Sequence, residues 1–540
     1  MNNSQKLHDD PRLVLIHPPA VSKRYLKTKF MPYGMAVLYS FLAEHDVPVV
    51  QFDFLMDYLF GKTGVIDYFD PRNAFTEQDF FCALRGGFSH AGIRDFVDTY
   101  SNRLIQDAGM YAFSIVSYQQ FWASLLIADR IRRMNERAVI VFGGPFITIK
   151  PPESFVPFGI ADYWVKGSGE EPLLLLYRLS RGDSDIDRAT IPGLVFYDSE
   201  RLICNPQSHL PAEEERPPDF SGLPLESYRY DHPLTGKETF FLPYRIAKGC
   251  PSRCSFCTGR LVDRYDCKSV DKIVSELKSL AGRYETNMVQ FADASINGHP
   301  VLLAKLCDRL VRDFPDIRWY SYAKIDAFDA SLLRKVKAAG CFSLFWGAES
   351  AHQPTIRLLG KHFRVADMFR LLDEAVDLGI KNYLHLMYNV PHESDADVEK
   401  IIGLVERYRN CDLVSFLPQR FLLEPQTAMF EHPQKYGLTN VRRVGKTVFD
   451  REQYIYDEIS GPDHIRVELR DELHREALAE TLEWIRYRNL VNSEKGLSRF
   501  LLSLPFHLRK FSAGSPFLRK IHQTVTNWIE SRNDGIQEQL

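Results

Sequence analysis

The stretch Arg245-Ile-Ala-Lys-Gly-Cys250-Pro-Ser-Arg-Cys254-Ser-Phe-Cys257 places three of the chain's nine cysteines in the spacing CxxxCxxC. Three thiolates on one short loop suit a soft metal centre. A four-iron, four-sulfur cluster ordinarily takes four cysteines, so three leave one iron open to a small molecule. A structural zinc site and three unrelated cysteines are the competing readings. Zinc ordinarily needs a fourth protein ligand, often from a second paired cluster, whereas Cys267, Cys307 and Cys341 stand singly.

Around this loop the sequence alternates strand and helix patterns. Residues 244–247 read as a strand that delivers the cysteines, and 270–283 as an amphipathic helix. Strands follow at 288–292, 317–323, 342–346, 382–388 and 413–416, with helices at 300–314, 330–339, 366–378 and 396–408. Six such strands predict a parallel α/β barrel left open, two units short of a closed one. Functional residues of such folds lie at the C-terminal ends of strands. Cys250, Asp293, Lys324 and Glu349 all fall there.

Upstream, residues 12–16 form an apolar run stopped by His17-Pro18-Pro19, residues 35–45 read as a helix and 47–52 as a second strand. Strands at 111–116 and 138–142 flank a helix at 121–134, and Gly143-Gly144 follows the second of them. A short strand then delivers Gly167-Ser-Gly169-Glu170 to a helix start. This is the beginning of a Rossmann-like doubly wound sheet. Residues 55–105 read as an aromatic insertion with short helices. Proline-rich residues 205–240 read as an extended linker, with the charged run Glu213 to Arg216 as a solvated face.

The cysteine spacing, with Phe256 just before the last thiol, resembles the radical S-adenosylmethionine (SAM) superfamily. The resemblance implies a [4Fe-4S] cluster on Cys250, Cys254 and Cys257, with the open iron chelating S-adenosyl-L-methionine and reductive cleavage giving a 5'-deoxyadenosyl radical. Phe345-Trp-Gly347-Ala-Glu349-Ser350 is similar to the family's Gly-x-Glu-Ser turn. On that likeness the SAM-binding residues are Phe256, Asp293, Lys324, Gly347, Glu349 and Ser350. A barrel-rim salt bridge is the plain alternative for Glu349. The front half is similar to the cobalamin-binding domain of one branch of the superfamily, which implies cobalamin contacts at Ser117, Gly143, Gly144, Gly167, Gly169 and Glu170. A tight strand-to-helix turn is the plain alternative for Gly143 and Gly144. The Asp-x-His-x-x-Gly element of other cobalamin proteins is absent, leaving the lower face of cobalt to the 17–35 loop or to no residue. Where relatives carry Gly-x-Pro-Gly-Glu, this chain has Asn389-Val-Pro391-His392-Glu393. Proline keeps its place, and His392 reads as a substituted turn residue rather than an acid or base.

The expected organisation is a cobalamin-binding-type domain (1–204), a linker (205–240), a partial (β/α)6 barrel (241–440) and a helical C-terminal domain (441–540). In the last, 454–459 and 467–488 look helical, and 498–520 reads as a lid on the barrel in preference to a basic surface for membrane or partner. At 540 residues the chain is long enough for about three domains. A formal charge of -3 makes no electrostatic case for nucleic acid. Scattered cysteines, a polar N-terminus and the lack of a membrane-length apolar run predict a cytoplasmic protein without membrane contact.

The implied function is a cobalamin-dependent C-methyltransferase acting on a small-molecule or peptide substrate, with an electron donor such as flavodoxin or ferredoxin. A radical cyclase or rearrangement enzyme is the alternative, and a noncatalytic iron-sulfur or zinc protein the alternative from another class. Methylthiotransferases carry a second cysteine trio before the barrel, where this chain has only Cys82 and Cys204.

Overall fold

Strand β1 (Leu13–His17) is buried on both faces and lies between parallel neighbours β2 (Val49–Asp53) and β3 (Met110–Ser114). That double burial explains its unbroken apolar run. Leu13 and Leu15 join a core that continues into the barrel, whereas Val14 and Ile16 join a separate one. β4 (Val139–Gly143) and β5 (Tyr163–Val165) continue the parallel sheet in the order β2-β1-β3-β4-β5. This doubly wound order has its switch point between β1 and β3. The computed structural model describes residues 12–23, 31–104, 108–231, 238–445, 448–449, 453–458 and 467–493.

Helix α1 (Tyr33–Glu44) crosses from β1 to β2, and α2 (Tyr118–Met134) from β3 to β4. An antiparallel hairpin, β6 (Leu194–Asp198) and β7 (Arg201–Cys204), extends the sheet beyond β5. The sequence reading lacked it because Leu194, Val195 and Phe196 are buried in succession while Tyr197, Asp198 and the ends of β7 are exposed, so no alternation marks a strand. The aromatic insertion folds as three short helices, Phe54–Phe60, Glu77–Ala83 and Ala91–Ser101, started by the side chains of Asp53, Thr76 and His90. Its rings join the core that holds Val14, Ile16 and one face of α2, where Phe80 meets Trp122 edge-on at 5.6 Å.

The second sheet has six parallel strands in sequence order: β8 (Leu242–Tyr244), β9 (Met288–Phe291), β10 (Arg318–Ala323), β11 (Cys341–Glu349), β12 (Lys381–Tyr388) and β13 (Val414–Arg420). Helices α3 (Val270–Tyr284), α4 (Pro300–Asp313), α5 (Ala330–Ala338), α6 (Val365–Asp377) and α7 (Asp395–Arg407) connect them as expected. The alternation in β12 is strict, with Asn382, Leu384, Leu386 and Tyr388 buried and the residues between them half buried. The sheet ends without closing on itself.

The tail departs from expectation. Of residues 454–459, read as helical, 454–458 belong instead to strand β15 (Gln453–Glu458), antiparallel to β14 (Leu438–Val444), and 459 lies outside the described residues. Alternation decided the outcome: Tyr456 packs into a cluster with Phe421 and Leu423, and aromatic residues suit a half-buried strand. Helix α8 (Val467–Ser493) then lies along the last barrel strand, where Asn489 donates 3.0 Å to the Phe416 carbonyl. Residues 498–520 lie outside the described residues. Among the described residues no helix is long and apolar enough to cross a membrane.

The linker corrects a second expectation. Within Glu213 to Arg216, Glu215 is fully buried rather than solvated. Its carboxylate pairs with the Arg245 guanidinium, lies 3.3 Å from the Lys268 ammonium and 3.6 Å from that of Lys248, and accepts from the Tyr33 hydroxyl at 2.7 Å. One buried carboxylate thus joins α1 to the strand leading into the cysteine loop. Burial works to raise its pKa, but Arg245, Lys268 and Lys248 together hold it at about 2 against an ordinary 4.5. A depressed carboxylate stabilises the fold fully above its unfolded pKa and loses that contribution as pH falls through the folded one. Glu215→Gln should therefore cost about 3 kcal/mol at pH 7. The gap in stability between wild type and variant, followed by thermal unfolding of the apoprotein, should close between about pH 4.5 and pH 2. Taking this difference isolates Glu215 from Asp293, whose shift is in the opposite direction.

Candidate active site

The cysteine loop leaves the sheet through Ala247 and Lys248, which pair antiparallel with Cys267 and Asp266. Asp293, just beyond β9, holds that strand by accepting from the backbone N–H of Ala247 at 2.7 Å and of Ile246 at 3.2 Å. Burial pushes its carboxyl up to about 7 against these bonds and the charges of Arg245 and Lys268. Gly249 turns the chain with φ at +61°, where a Cβ would lie 2.5 Å from the Asp263 carbonyl oxygen. Beyond it the loop is pinned from outside. Ser255 donates from its backbone N–H to the Leu359 carbonyl and from its hydroxyl to that of Leu358, at 3.0 and 2.9 Å, and its own carbonyl accepts from Met429.

Cys250, Cys254 and Cys257 are free thiols on this loop. Burial, opposed by Lys361 and reinforced by Cys257, Glu349 and Cys250, pushes the Cys254 thiol up to about 11. Burial also raises Cys257, whose sulfur accepts from the Gly259 N–H at 3.3 Å. In this thiol form no three His, Cys, Asp or Glu side chains among the described residues converge as a ligand set. The donor chemistry nevertheless fits an iron-sulfur group: three soft sulfurs come from one fixed loop, and Cys254 and Cys257 each feel the charge of Cys250.

Across the mouth, β11 ends in a register slip between Gly347 and Glu349. Glu349 adopts a left-handed φ of +61°, uncommon for a residue with a side chain, which turns its carboxylate into the mouth region. There it meets Lys361 at 2.9 Å, while the same ammonium donates 2.7 Å to the Gly347 carbonyl. A Cβ at Gly347 would lie 2.7 Å from Lys361 Nζ, so glycine makes the seat for the lysine. Burial works to lower the Lys361 pKa, but Glu349 and Cys254 raise it above the ordinary value. Sequence reasoning missed Lys361. Its signal was Gly360, whose φ of +70° packs the chain against the cysteine loop at Arg253 and Ser255 and puts the next residue under the Glu349 turn.

The remaining candidates divide. Ser350 is buried and its hydroxyl accepts from the His352 N–H at 3.0 Å. Lys324 follows β10, held by Asn297 through its backbone, with its ammonium 3.6 Å from Asp326. Phe256 packs beside Leu359, Val390 and Leu423. In the turn after β12, Asn389 and His392 both take left-handed φ values of +58° where the family has glycines. His392 binds the Tyr436 carbonyl at 2.8 Å and belongs to the turn.

In the front sheet, Ser117 caps α2, and Gln120 accepts from the Val116 and Ser117 N–H groups while donating to the Pro18 carbonyl. The loops after β1 and β3 are thereby tied together at the switch point. Gly144 has φ +94°, and a Cβ there would lie 2.6 Å from the Ile115 carbonyl oxygen; at Gly143 the only contacts would be ordinary ones. Gly167, at φ +88°, donates to Thr148 Oγ1 at 3.0 Å. Gly169 precedes the helix Glu170–Ser180, and Glu170 is buried 3.9 Å from Lys248. The segment after Gly144 also reaches the barrel, where Gln426 donates 2.7 Å to the Ile149 carbonyl. Both glycine turns therefore abut the barrel mouth.

The sequence profile of the radical SAM superfamily matches residues 244–405, the span that holds the cysteine loop and the Glu349 turn. Residues 244–405 therefore form a radical SAM domain. An uncharacterised methyltransferase of Pyrococcus horikoshii is 23% identical over 408 residues, covering 73% of this chain and 78% of that protein. The anaerobic magnesium-protoporphyrin IX monomethyl ester cyclase of Rubrivivax gelatinosus is 23% identical over 334 residues, or 59% of this chain and 60% of the cyclase. Among solved structures, the radical SAM methyltransferase TsrM from Kitasatospora setae, with cobalamin and a [4Fe-4S] cluster bound, aligns over 97% of this chain and 99% of its own. That match has a TM-score of 0.61 at 18% identity. The cobalamin-dependent radical enzyme OxsB aligns over 98% of this chain and 76% of its own, with a TM-score of 0.64 at 14% identity. These likenesses show a common fold across both sheets.

Lys361→Met would leave the Glu349 carboxylate buried without its cation. The apoprotein should lose about 3 kcal/mol of unfolding free energy in a denaturant titration; an unchanged midpoint would show the pair to be energetically idle.

Proposed function

We propose that the chain is a cobalamin-dependent radical SAM enzyme that methylates an unactivated carbon of a small-molecule or peptide substrate. The observation that carries this reading is the meeting, at one barrel mouth, of the three-thiol loop, the Glu349 and Lys361 turn, and the glycine turns of the front sheet. Cys250, Cys254 and Cys257 would hold the cluster. Glu349, Ser350, Gly347, Lys324, Asp293 and Phe256, with Lys361 added, would surround SAM. Ser117, Gly143, Gly144, Gly167, Gly169 and Glu170 would border cobalamin. The edge suits a bulky planar ligand, because Gly143 offers no side chain and Val116, a large apolar residue at the switch point, is 52% exposed.

When bound, the cluster with SAM supplies radical chemistry at an unreactive C–H, and cobalamin supplies a transferable methyl group. The protein's own residues bind and orient. Glu349 can accept from an ammonium and Lys361 can donate to a carboxylate, so the pair that now satisfies itself can open to hold both charged ends of an amino-acid moiety. Asp293 keeps the cysteine strand in place through two backbone bonds. An electron donor such as flavodoxin or ferredoxin would reduce the cluster. Radical cyclisation or rearrangement without methyl transfer is the second reading, favoured by the presence of a cyclase among the relatives.

Anaerobic reconstitution followed by cobalamin titration tests the proposal, with saturable binding of about one equivalent expected and no binding contradicting it. Cys254→Ala should lose iron, sulfide and SAM cleavage, whereas Cys267→Ala should keep all three. Glu349→Ala should weaken SAM binding about tenfold or more with the iron-sulfur absorbance intact; unchanged affinity would make the glutamate structural.

A further inference from the structure

The inner face of the barrel carries a row of rings that neither the cluster nor SAM explains. In β10, β11 and β12 the residues pointing at the helices are sealed: Ser321, Leu344, Trp346, Leu384 and Leu386 are all at most 1% exposed. The alternate residues face the lumen. Tyr322, Phe345 and Tyr383 are register neighbours across three strands and form one level of that face. Phe345 and Tyr383 stack with centroids 4.5 Å apart and planes at 11°, and Tyr322 meets Phe345 at 5.3 Å. Tyr322 is 39% exposed, so the row is a surface and not a packed core.

One level nearer the mouth, His385 pairs in register with Gly347, which presents no side chain. Its ring lies 5.7 Å from Tyr322, and its Nε2 is shielded from solvent without a hydrogen-bond partner among the described residues. A polar nitrogen left in this state is a standing cost that a ligand's polar group can relieve. Burial lowers the His385 pKa, which favours the neutral imidazole. The charges bordering the row are already engaged: Lys381 lies over the Tyr383 ring at 5.2 Å, and Glu349 is paired with Lys361. A stacked aromatic surface with a neutral imidazole beside it suits an uncharged, flat partner.

We propose that Tyr322, Phe345, Tyr383 and His385 form the substrate seat, and that the substrate is a neutral planar aromatic or heteroaromatic small molecule with a polar edge atom directed at His385. This rests on the proposed function only in that the seat lies beneath the SAM-binding mouth. The test titrates the reconstituted enzyme with 1-naphthol and with its saturated counterpart decahydro-1-naphthol, both uncharged, by ligand-observed NMR. Saturable 1-naphthol binding, preferred about tenfold over the saturated compound and weakened about tenfold by Phe345→Leu and by Tyr322→Leu, is expected. His385→Phe should weaken 1-naphthol and leave unsubstituted naphthalene unaffected. Equal affinity for the flat and saturated probes, or ring variants that bind as wild type, would overturn the seat. Tyr322 is the more exposed position, so its variant keeps the test valid if Phe345→Leu does not fold. Cluster absorbance and SAM cleavage, measured on the same samples without probe, report separately on the enzyme reading: their failure in wild type sinks that reading, while the probe titration still decides the seat.

Discussion

A buried carboxylate, Glu215, ties the front sheet to the barrel within the hydrophobic core that the two share. It comes from the linker, and around it are gathered Tyr33 from the front domain and Arg245, Lys248 and Lys268 from the strands on either side of the cysteine loop. Taking an isolated carboxylate out of water costs several kcal/mol, so its position is stable only while those cations remain. The constraint runs both ways. Lys248, with Glu215 on one side, has Glu170 on the other, at the start of the helix after the Gly167 turn. The strand that delivers the thiols and the turn that would border cobalamin are therefore anchored to one buried cluster of charges.

The mouth is built by the same means at smaller scale. Strained backbone at Glu349, the missing side chain of Gly347 and the left-handed Gly360 bring the end of β11 and the cysteine loop within reach of Lys361. The lysine carries charge to a place where the cysteine loop and the Gly-x-Glu-Ser turn meet. Strain at a functional turn persists only where surrounding contacts over-determine it, and here the contacts are the Lys361 bonds to Glu349 and to the Gly347 carbonyl.

The parts of this arrangement legible in sequence were the local ones. The cysteine spacing is a contiguous pattern, and the barrel strands carry apolar periodicity that their helices demand, so each was readable to within a few residues. Glu215 looked like part of a solvated charge run because its cations lie 30 or more residues away, and burial by distant partners leaves no trace in local composition. Lys361 was missed although Gly360 marked its turn, because its pairing with Glu349 arises only once β11 and the following helix are assembled. The strand at 453–458 was mistaken for a helix because its pairing partner, Leu438–Val444, was itself unrecognised. His385 sits in a well-predicted strand, yet its missing partner is a property of the assembled barrel alone.

The central claim is that both sheets serve one reaction, in which a methyl group passes to carbon. It is tested most directly by turnover with methyl-labelled S-adenosylmethionine, with product and both nucleoside by-products quantified by mass spectrometry. The account predicts a product carrying the labelled methyl, with one S-adenosylhomocysteine and one 5'-deoxyadenosine formed per product. A product without label, accompanied by 5'-deoxyadenosine and no S-adenosylhomocysteine, would contradict methyl transfer and leave cyclisation or rearrangement in its place.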